Sequence, residues 1–247
     1  EDVAWQEYAF QRVTRANPFP SQMGRVCPAP CQDGCNRNEV EDYVGINAVE
    51  QFIGDYALEK GYGFEKPGRE SGKRVAIVGG GPAGLSAVYQ LRRMGHACTV
   101  YDEHEALGGM LRYGIPGYRT PRERLDGEIQ RILDMGNVEA KLNTRVGRDV
   151  SVEALEQSHD AILWTIGCQN GRPLPVPGGD APNCVSGVQL LRAFNTGRLQ
   201  VTAEKVICVG GGDTSIDVVS VARRLGKIQQ IHPQERAEQV VRGFVAH

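Results

Sequence analysis

The sequence predicts an α/β protein with two domains built on parallel sheets, the second of them incomplete, preceded by a helical segment. Three observations support this prediction. A β-branched run, a glycine cluster and an amphipathic helix follow one another in "RVAIVGGGPAGLSAVYQLRRMG" at 74–95. The same order returns in "KVICVGGGDTSIDVVSVARRLG" at 205–226. The first 65 residues contain a cysteine cluster and a helical pattern instead.

We place the domain boundaries at 1–65 for the helical segment, 66–172 for the first parallel-sheet domain and 173–247 for the second. The first boundary lies at the start of the polar connector "EKPGRESGK" at 65–73. Just before it, "NAVEQFIGDYALEKG" at 47–61 predicts a helix, with Asn47 as its cap and Gly61 at its end. The apolar residues of this helix at helical spacing are Val49, Phe52, Ile53, Tyr56 and Ala57.

Three further strands are predicted. "ACTVYD" at 97–102 follows the first helix and completes a βαβ unit. "DAILWTIG" at 160–167 is predicted to be a buried strand, and "NGRPLPVPGGDAPN" after it a loop. "KIQQIH" at 227–232 is predicted to be the strand that follows the second helix.

Composition limits the class of protein. The 247 residues are 40% hydrophobic and 23% charged, which is typical of a soluble globular chain. A formal charge of -2 argues against nucleic acid as the main partner, because phosphate binding needs a basic excess. No apolar run is long enough to span a membrane, and the first ten residues show no signal-peptide pattern. Seven cysteines, an odd number, do not suggest a disulfide framework, so we expect a cytoplasmic protein.

The first glycine cluster has the spacing of a dinucleotide-binding loop. Gly79 permits the tight turn after the strand, Gly81 lets a diphosphate approach the backbone, and Gly84 lets the helix pack on the sheet. The helix begins at Pro82 and Ala83, whose turn offers free N–H groups to phosphate. Asp102 ends the next strand, where an acid commonly binds a ribose hydroxyl.

The second glycine cluster repeats the pattern with one change. Gly210 and Gly212 take the first two positions, and Ser215 stands where the third glycine is expected. Asp213 and Thr214 open the following helix. Two such loops in one chain predict a bound flavin and a diffusing nicotinamide that exchange hydride.

Five motifs together resemble one known family. "CPAPCQDGCNR", "VAIVGGGPAGLSAVYQLRRMGH", "GGMLRYGIP", "DAILWTIGC" and "VICVGGGDTSIDVV" occur in this order over nearly the whole chain. The chain resembles the small (β) subunit of glutamate synthase and its relatives. Those relatives include the electron-input segment of dihydropyrimidine dehydrogenase, the large subunit of NADH-dependent ferredoxin:NADP⁺ oxidoreductase, and the flavoprotein of dissimilatory sulfite reductase.

The resemblance implies two Rossmann-like domains, with FAD on the first glycine loop and NAD(P)H on the second. It also implies that the loop "GGMLRYGIP" passes close to the FAD, and that the strand ending before Gly167 leads to the crossover between the two domains. The residues it places beside FAD are Gly108, Gly109, Leu111 and Arg112.

For the helical segment the resemblance implies two [4Fe–4S] clusters, for which thiolate sulfur is a suitable ligand. Cys27, Cys31 and Cys35 are the candidate ligands, although three thiols cannot complete a Cys₄ site. Glu50 is the candidate non-cysteine ligand, and its alternative role is a capping box with Asn47. The alternative for the cysteines is a loop of free thiols.

The sequence favours NADH over NADPH. In NADPH-using relatives a pair of arginines follows the second domain's next strand, whereas this chain has "IHPQER" at 231–236. Only Arg236 supplies a guanidinium there. Because two strands cannot bury both faces of a parallel sheet, we also expect the 247 residues to be part of a longer polypeptide.

The function predicted from these features is an FAD-dependent oxidoreductase that takes hydride from NAD(P)H and passes electrons through [4Fe–4S] clusters. The acceptor would be a partner subunit or fused domain, such as the glutamate synthase large subunit or ferredoxin. Two alternatives remain at this point. One is a reductase that passes electrons from flavin directly to a small acceptor, with a vestigial cluster region. The other is a non-catalytic docking module.

Overall fold

A computed structural model describes residues 2–199 and 205–225 of the chain. The chain forms two compact units. Unit 1 comprises Glu1–Gly109 and Thr120–Ile166, and unit 2 comprises Met110–Arg119 and Gly167–His247. The predicted strand at 227–232 and the segment 231–236 lie outside the described residues.

The helical segment of unit 1 is built around two crossing helices. The helices of this segment are α1 (Asp2–Thr14), α2 (Pro20–Val26), α3 (Pro30–Asp33) and α4 (Ile46–Glu59), with a 3-10 helix at Asn36–Glu39. A Cβ at Gly54 would lie 2.2 Å from the Ser21 nitrogen, and one at Gly24 would lie 2.6 Å from Gln51. Helices α2 and α4 therefore cross with backbone against backbone.

The predicted helix at 47–61 is confirmed, and it ends at Glu59, with Lys60 as its C-cap before Gly61, whose φ is 68°. Its start differs from the prediction. Gly45 is the N-cap and Asn47 is the second helical residue, so Asn47 does not cap the helix. Ala57 is buried, but Val49 and Phe52 are exposed. The apolar residues of α4 thus lie on two faces, and only one of them packs inside unit 1.

The predicted parallel sheet is confirmed in unit 1. Its strands are β1 (Arg74–Val78), β2 (Ala97–Tyr101), β3 (Val138–Lys141) and β4 (Ala161–Trp164), in the order β3-β2-β1-β4, and all pairs are parallel. The helices α5 (Pro82–Arg93), α7 (Arg122–Leu133) and α8 (Val152–Ser158) belong to the same unit. The most deeply buried core side chains of the strands and helices include Ile77, Leu85, Val88, Val100, Leu125 and Ile132.

The prediction that 160–167 forms a buried strand is wrong about its burial. Strand β4 forms, but Trp164 is 50% exposed and Leu163 is 38% exposed. The reason is the position of β4 in the sheet: it pairs with β1 on one edge and is last in the order of described strands.

Unit 2 contains three described helices: α6 (Met110–Tyr113), α9 (Gly187–Asn195) and α10 (Asp213–Arg224). A capping box formed by Ser186 and Gln189 starts α9. The core of the unit comprises Leu190, Leu191, Phe194, Leu199, Val218 and Val221. Residues 205–209 were predicted to be a strand, but the structure gives them no regular conformation. A strand needs a hydrogen-bonded neighbour, and the predicted neighbour lies outside the described residues.

Across residues 2–199 and 205–225, no helix combines the length and the apolar character needed to cross a membrane.

A buried carboxylate joins α7 to the helical segment. Glu128 is 0% exposed; its Oε1 accepts a hydrogen bond from Ser21 N (2.8 Å) and its Oε2 accepts one from Gln22 N (3.1 Å). Phe19 is the N-cap of α2, and its side chain accepts no hydrogen bond from the first-turn amides. Glu128, which lies 107 residues beyond Ser21 in the sequence, accepts these hydrogen bonds instead. Burial raises the pKa of Glu128 to about 8.

This pKa predicts a pH dependence of stability. Between the ordinary value of 4.5 and about 8 the folded protein keeps the Glu128 proton and the unfolded chain loses it. The stabilisation is therefore complete below 4.5 and is lost as the pH rises through about 8. We expect the melting temperature of the full-length wild-type protein to fall between pH 5 and pH 8 relative to that of Glu128→Gln, which has no proton to lose.

The matched control is Glu123→Gln, which changes an exposed carboxylate in the first turn of the same helix. Between pH 5 and pH 8 its melting temperature should change with pH as that of the wild type does. Equal pH profiles for wild type and Glu128→Gln would show that Glu128 is ionised in the folded protein.

Candidate functional site

The first glycine loop of unit 1 is a tight turn between β1 and α5. Gly79 has a φ of 108°, and a Cβ there would lie 2.4 Å from the Thr165 carbonyl oxygen. Gly79 N donates to Tyr101 O on β2 at 2.8 Å, and Thr165 Oγ1 donates to Gly79 O at 2.8 Å. The turn is thus held from both neighbouring strands, and only glycine fits its first position.

The third glycine lets α5 pack closely on the turn. A Cβ at Gly84 would lie 2.0 Å from Gly79 O and 2.8 Å from Thr165 Oγ1. Helix α5 begins at Pro82, and no side chain caps its N-terminus at Gly81. The first-turn amides at this end carry the partial positive charge that stabilises a phosphate.

A second glycine pair lies against the first loop. Gly108 N donates to Gly80 O at 2.8 Å, and a Cβ at Gly109 would lie 2.7 Å from the Gly81 Cα. A Cβ at Gly81 would meet only the Gly109 Cα, at 3.6 Å. The structure therefore brings Gly79, Gly81, Gly84, Gly108 and Gly109 together as bare backbone, and this cradle fits the diphosphate of a dinucleotide such as FAD.

Asp102 lies beside the first glycine loop, and its carboxylate already accepts hydrogen bonds from the protein. It is 6% exposed; its Oδ2 accepts from Gly80 N at 2.7 Å and its Oδ1 accepts from His104 N at 2.8 Å. The His104 Nδ1 is also 2.8 Å from Oδ1. Asp102 thus braces the glycine loop in this structure. Because a carboxylate has about four acceptor positions, a ribose hydroxyl as a further donor stays a prediction.

The other residues predicted to lie beside FAD belong to unit 2. Leu111 is buried and Arg112 is half-buried, both in the one-turn helix α6. Gly167 follows β4 with a φ of 65°. Their roles stay predictions.

The second glycine loop belongs to unit 2. Gly210 has a φ of 125°, and a Cβ there would lie 2.8 Å from Ser215 Oγ. Gly212 is the N-cap of α10, which begins with Asp213 and Thr214, and no side chain caps this helix end. A Cβ at Gly212 would meet nothing within 4 Å, so the backbone at the start of α10 is accessible to a ligand.

The sequence did not predict an ion pair that forms in unit 2. Arg119 Nη1 donates to both oxygens of Asp217, at 2.9 and 2.8 Å, and Asp217 is 5% exposed. The guanidinium of Arg224 lies 3.6 Å from the centre of the Tyr118 ring. The two contacts fix the segment 110–119 on α10. A sequence signal existed in Asp217, an acid on the buried face of an amphipathic helix, but nothing identified its partner.

The three candidate cluster cysteines lie on one short loop. Cys27 is the C-cap of α2, and Ala29 adopts a left-handed conformation (φ 54°) with its N–H 3.4 Å from the Cys27 sulfur. Cys31 lies in α3 and is exposed, and Cys35 follows α3 half-buried. A backbone N–H that donates to sulfur is suited to a thiolate, so the donor chemistry fits iron.

The ligand set itself is incomplete. Among the described residues, no three His, Cys, Asp or Glu side chains come together as a metal site. Three cysteines also leave one iron of a four-iron cluster without a thiolate. The loop therefore fits a [4Fe–4S] cluster only if further ligands are supplied.

Glu50 does not take the capping-box role considered for it. Its Oε1 accepts a hydrogen bond from Asn17 Nδ2 at 2.7 Å, and Asn47 Nδ2 donates to Cys27 O at 2.7 Å. The Asn47–Glu50 capping box is therefore absent from α4, because the helix starts one residue before Asn47. The role of Glu50 as a cluster ligand stays a prediction.

The remaining cysteines are unpaired. All seven lie in the described part of the chain, and all are free thiols. Burial raises the pKa of Cys98 to about 11, which makes it an unreactive core residue.

Comparison with known proteins gives a consistent result. The profile of the pyridine nucleotide-disulphide oxidoreductase family matches residues 73–246. The profile described as dihydropyrimidine dehydrogenase domain II, 4Fe-4S cluster, matches residues 4–62. The first match covers more than half of the chain.

Several curated relatives are similar over nearly all of this chain. The β subunit of an NADPH-Fe(3+) oxidoreductase from Geobacter sulfurreducens is 40% identical over 90% of this chain and 34% of its own length. The glutamate synthase [NADPH] small chain of Mycobacterium tuberculosis is 35% identical over 91% of this chain and 48% of its own length. The chain thus spans between a third and a half of the length of these relatives. The resemblance to the glutamate synthase small subunit is confirmed.

A solved structure shares the fold. FprA of Mycobacterium tuberculosis in complex with NADPH matches with a TM-score of 0.54 at 19% identity, covering 62% of this chain and 36% of FprA.

The spacing around Gly84 predicts how two glycine substitutions will differ. Gly84→Ala should lower the free energy of unfolding by about 1–3 kcal/mol, because its Cβ would overlap Gly79 O. Gly81→Ala should change it by less than about 1 kcal/mol, because its Cβ has room. Thermal unfolding of the two full-length variants tests this, and equal destabilisation would contradict the packing described for α5.

Proposed function

The chain belongs to the pyridine nucleotide-disulphide oxidoreductase family, and on that premise we propose an FAD-dependent oxidoreductase that takes hydride from NAD(P)H. Its electrons pass through [4Fe–4S] clusters to a partner subunit or domain. The observation that supports the proposal most strongly is the cradle of bare backbone formed by Gly79, Gly81 and Gly84 against Gly108 and Gly109.

The cradle of unit 1 is the proposed FAD site. The uncapped first turn of α5, at Pro82 and Ala83, binds the diphosphate, and the absence of a side chain at Gly81 lets the phosphates approach. Asp102 holds the Gly80 amide and so fixes the loop, and its remaining acceptor capacity serves the ribose. FAD, when bound, supplies the acceptance of hydride and the release of single electrons.

The second glycine loop is the proposed nicotinamide site. Gly210 and Gly212 give the turn, and Asp213, Thr214 and Ser215 form the start of α10 that faces the diphosphate. We assign no side chain as a general acid or base, because hydride transfer depends on the orientation of the two rings. In functional terms we keep the segments 1–65, 66–172 and 173–247 as cluster, FAD and NAD(P) regions.

Three relatives support an acceptor partner. The relatives from Geobacter sulfurreducens, Mycobacterium tuberculosis and Moorella thermoacetica are named as a β subunit, a small chain and a β subunit. Each of those names implies at least one other subunit. We propose that this protein likewise delivers electrons to a separate subunit or fused domain, and that it does so in the cytoplasm.

A second candidate function follows from the cysteine loop. Because no three ligands converge there among the described residues, a reductase that passes electrons from flavin directly to a small acceptor fits the same cradle. Iron content separates the two candidates.

The proposal predicts the absorbance of the full-length protein purified without oxygen. We expect flavin bands that bleach with NAD(P)H, and a broad iron–sulfur shoulder with matching iron and acid-labile sulfide. Flavin without iron would select the direct reductase. The absence of flavin would refute both candidates.

We also propose that NADH is the preferred donor, from the single arginine in "IHPQER" at 231–236. One charge-assisted contact to the 2′-phosphate of NADPH is worth about 1.5–3 kcal/mol, and about 1.4 kcal/mol corresponds to a factor of ten. Steady-state kinetics should therefore give a kcat/KM for NADH at least about tenfold above that for NADPH. The opposite order would show that other residues bind the 2′-phosphate.

A further inference from the structure

We propose that Glu128 is a positioning residue that fixes the cysteine loop, residues 27–35, to the flavin-binding part of unit 1. The inference rests on the proposed function, in which electrons leave the flavin towards this loop. The carboxylate does not touch the cysteines or the glycine cradle. It acts through α2, which ends at Cys27.

The first step is the anchor on α7. This helix is part of the flavin-binding core, because Leu125, Ile129 and Ile132 are buried in unit 1. Glu128 lies on the same helix and is 0% exposed. Its carboxylate therefore has a fixed place relative to the sheet that supports the glycine cradle.

The second step is the pair of hydrogen bonds to α2. Ser21 and Gln22 are both 0% exposed, and their backbone N–H groups donate to the two oxygens of Glu128. Water cannot replace a partner at this depth, so loss of the carboxylate leaves buried amides unsatisfied. Each bond holds backbone directly, so no flexible side chain intervenes on the α2 side.

The third step is the short path from those amides to the thiols. Helix α2 has seven residues, and Cys27 N donates to Met23 O at 2.9 Å as the helix ends. At about 1.5 Å per residue, Cys27 lies about 9 Å along the helix axis from Ser21. A rotation or shift of α2 therefore moves the cysteine loop as a whole.

Other contacts give a weaker link between α7 and the loop. Arg25 pairs with Asp55 on α4, and Asn47 of α4 donates to Cys27 O, but both contacts stay within the helical segment. Arg124 of α7 reaches α4 with a partly exposed side chain, which donates to Glu59 Oε1 at 2.9 Å and to Asp55 O at 3.2 Å. That exposed ion pair is worth less than a buried carboxylate that satisfies two amides.

The test uses hydrogen–deuterium exchange on the full-length protein with its cofactors. Glu128→Gln replaces one acceptor oxygen with an NH₂ group, which opposes an amide donor instead of accepting from it. Glu128→Asp keeps the carboxyl group but is one methylene shorter. Glu123→Gln is the control, because this carboxylate is exposed on the same helix.

We expect both Glu128 variants to exchange amides at 21–35 at least tenfold faster than wild type. Amides of β1 and α5, at 74–93, should exchange at the wild-type rate, and so should every segment of Glu123→Gln. The rate of flavin bleaching by NAD(P)H should stay within twofold, while steady-state reduction of the external acceptor falls at least fivefold.

Each of the other outcomes contradicts one part of the proposal. Unchanged exchange at 21–35 refutes the link between Glu128 and the loop. Faster exchange over 21–35 and 74–93 alike shows that Glu128 stabilises unit 1 in general. Faster exchange confined to 21–35, together with an unchanged rate of reduction of the external acceptor, refutes the positioning role. If the wild-type protein lacks flavin, the proposed function fails, while the exchange result still decides whether Glu128 holds the loop.

Discussion

The close approach of three backbone segments at the end of β1 is the constraint on which the rest of unit 1 depends. The turn at Gly79 touches the carbonyl of Thr165 after β4, and Gly84 of α5 touches the carbonyl of Gly79. Gly109 lies against Gly81. A side chain at Gly79, Gly84 or Gly109 would separate the segments, so packing restricts all three positions to glycine. The positive φ of Gly79 and Gly109 restricts these two by conformation as well. Gly81 is different, because a Cβ has room there in the protein itself. This room is where we propose that the diphosphate of the ligand approaches the backbone.

The second loop follows the same pattern with a looser fit. Ser215 takes the place that corresponds to Gly84, and its hydroxyl oxygen lies within 2.8 Å of where a Cβ on Gly210 would stand. A small polar residue is accommodated because Gly210 itself has no side chain. The Arg119–Asp217 pair then secures the opposite side of α10. The turn into α10 thus accommodates serine at its third position because the first position is glycine.

The sequence predicted the features that depend on neighbours in the chain. The strands β1 and β2, the helices α4, α5 and α10, and the glycine turns all follow from period, propensity and local conformation. It did not predict the exposure of β4, because exposure depends on which strands pair with it. It placed a cap at Asn47, whereas Asn47 holds the Cys27 carbonyl across the α2–α4 crossing. Glu128 could not be found in this way. Its partners are more than a hundred residues away, and a glutamate in a helix usually indicates a solvated face.

We propose that the dinucleotide occupies the space beside the bare backbone of Gly81, and FAD affinity tests this most directly. The flavin is removed from the full-length wild-type protein, Gly81→Ala and Gly68→Ala, and FAD binding is titrated. Gly68 lies in the connector with nothing within 4 Å of its Cβ position, so it controls for a methyl group alone. We expect Gly81→Ala to bind FAD at least about tenfold more weakly, a loss of about 1.4 kcal/mol, with both apo-variants melting near the wild type. Equal affinity of all three proteins would contradict the claim that this cradle holds the cofactor.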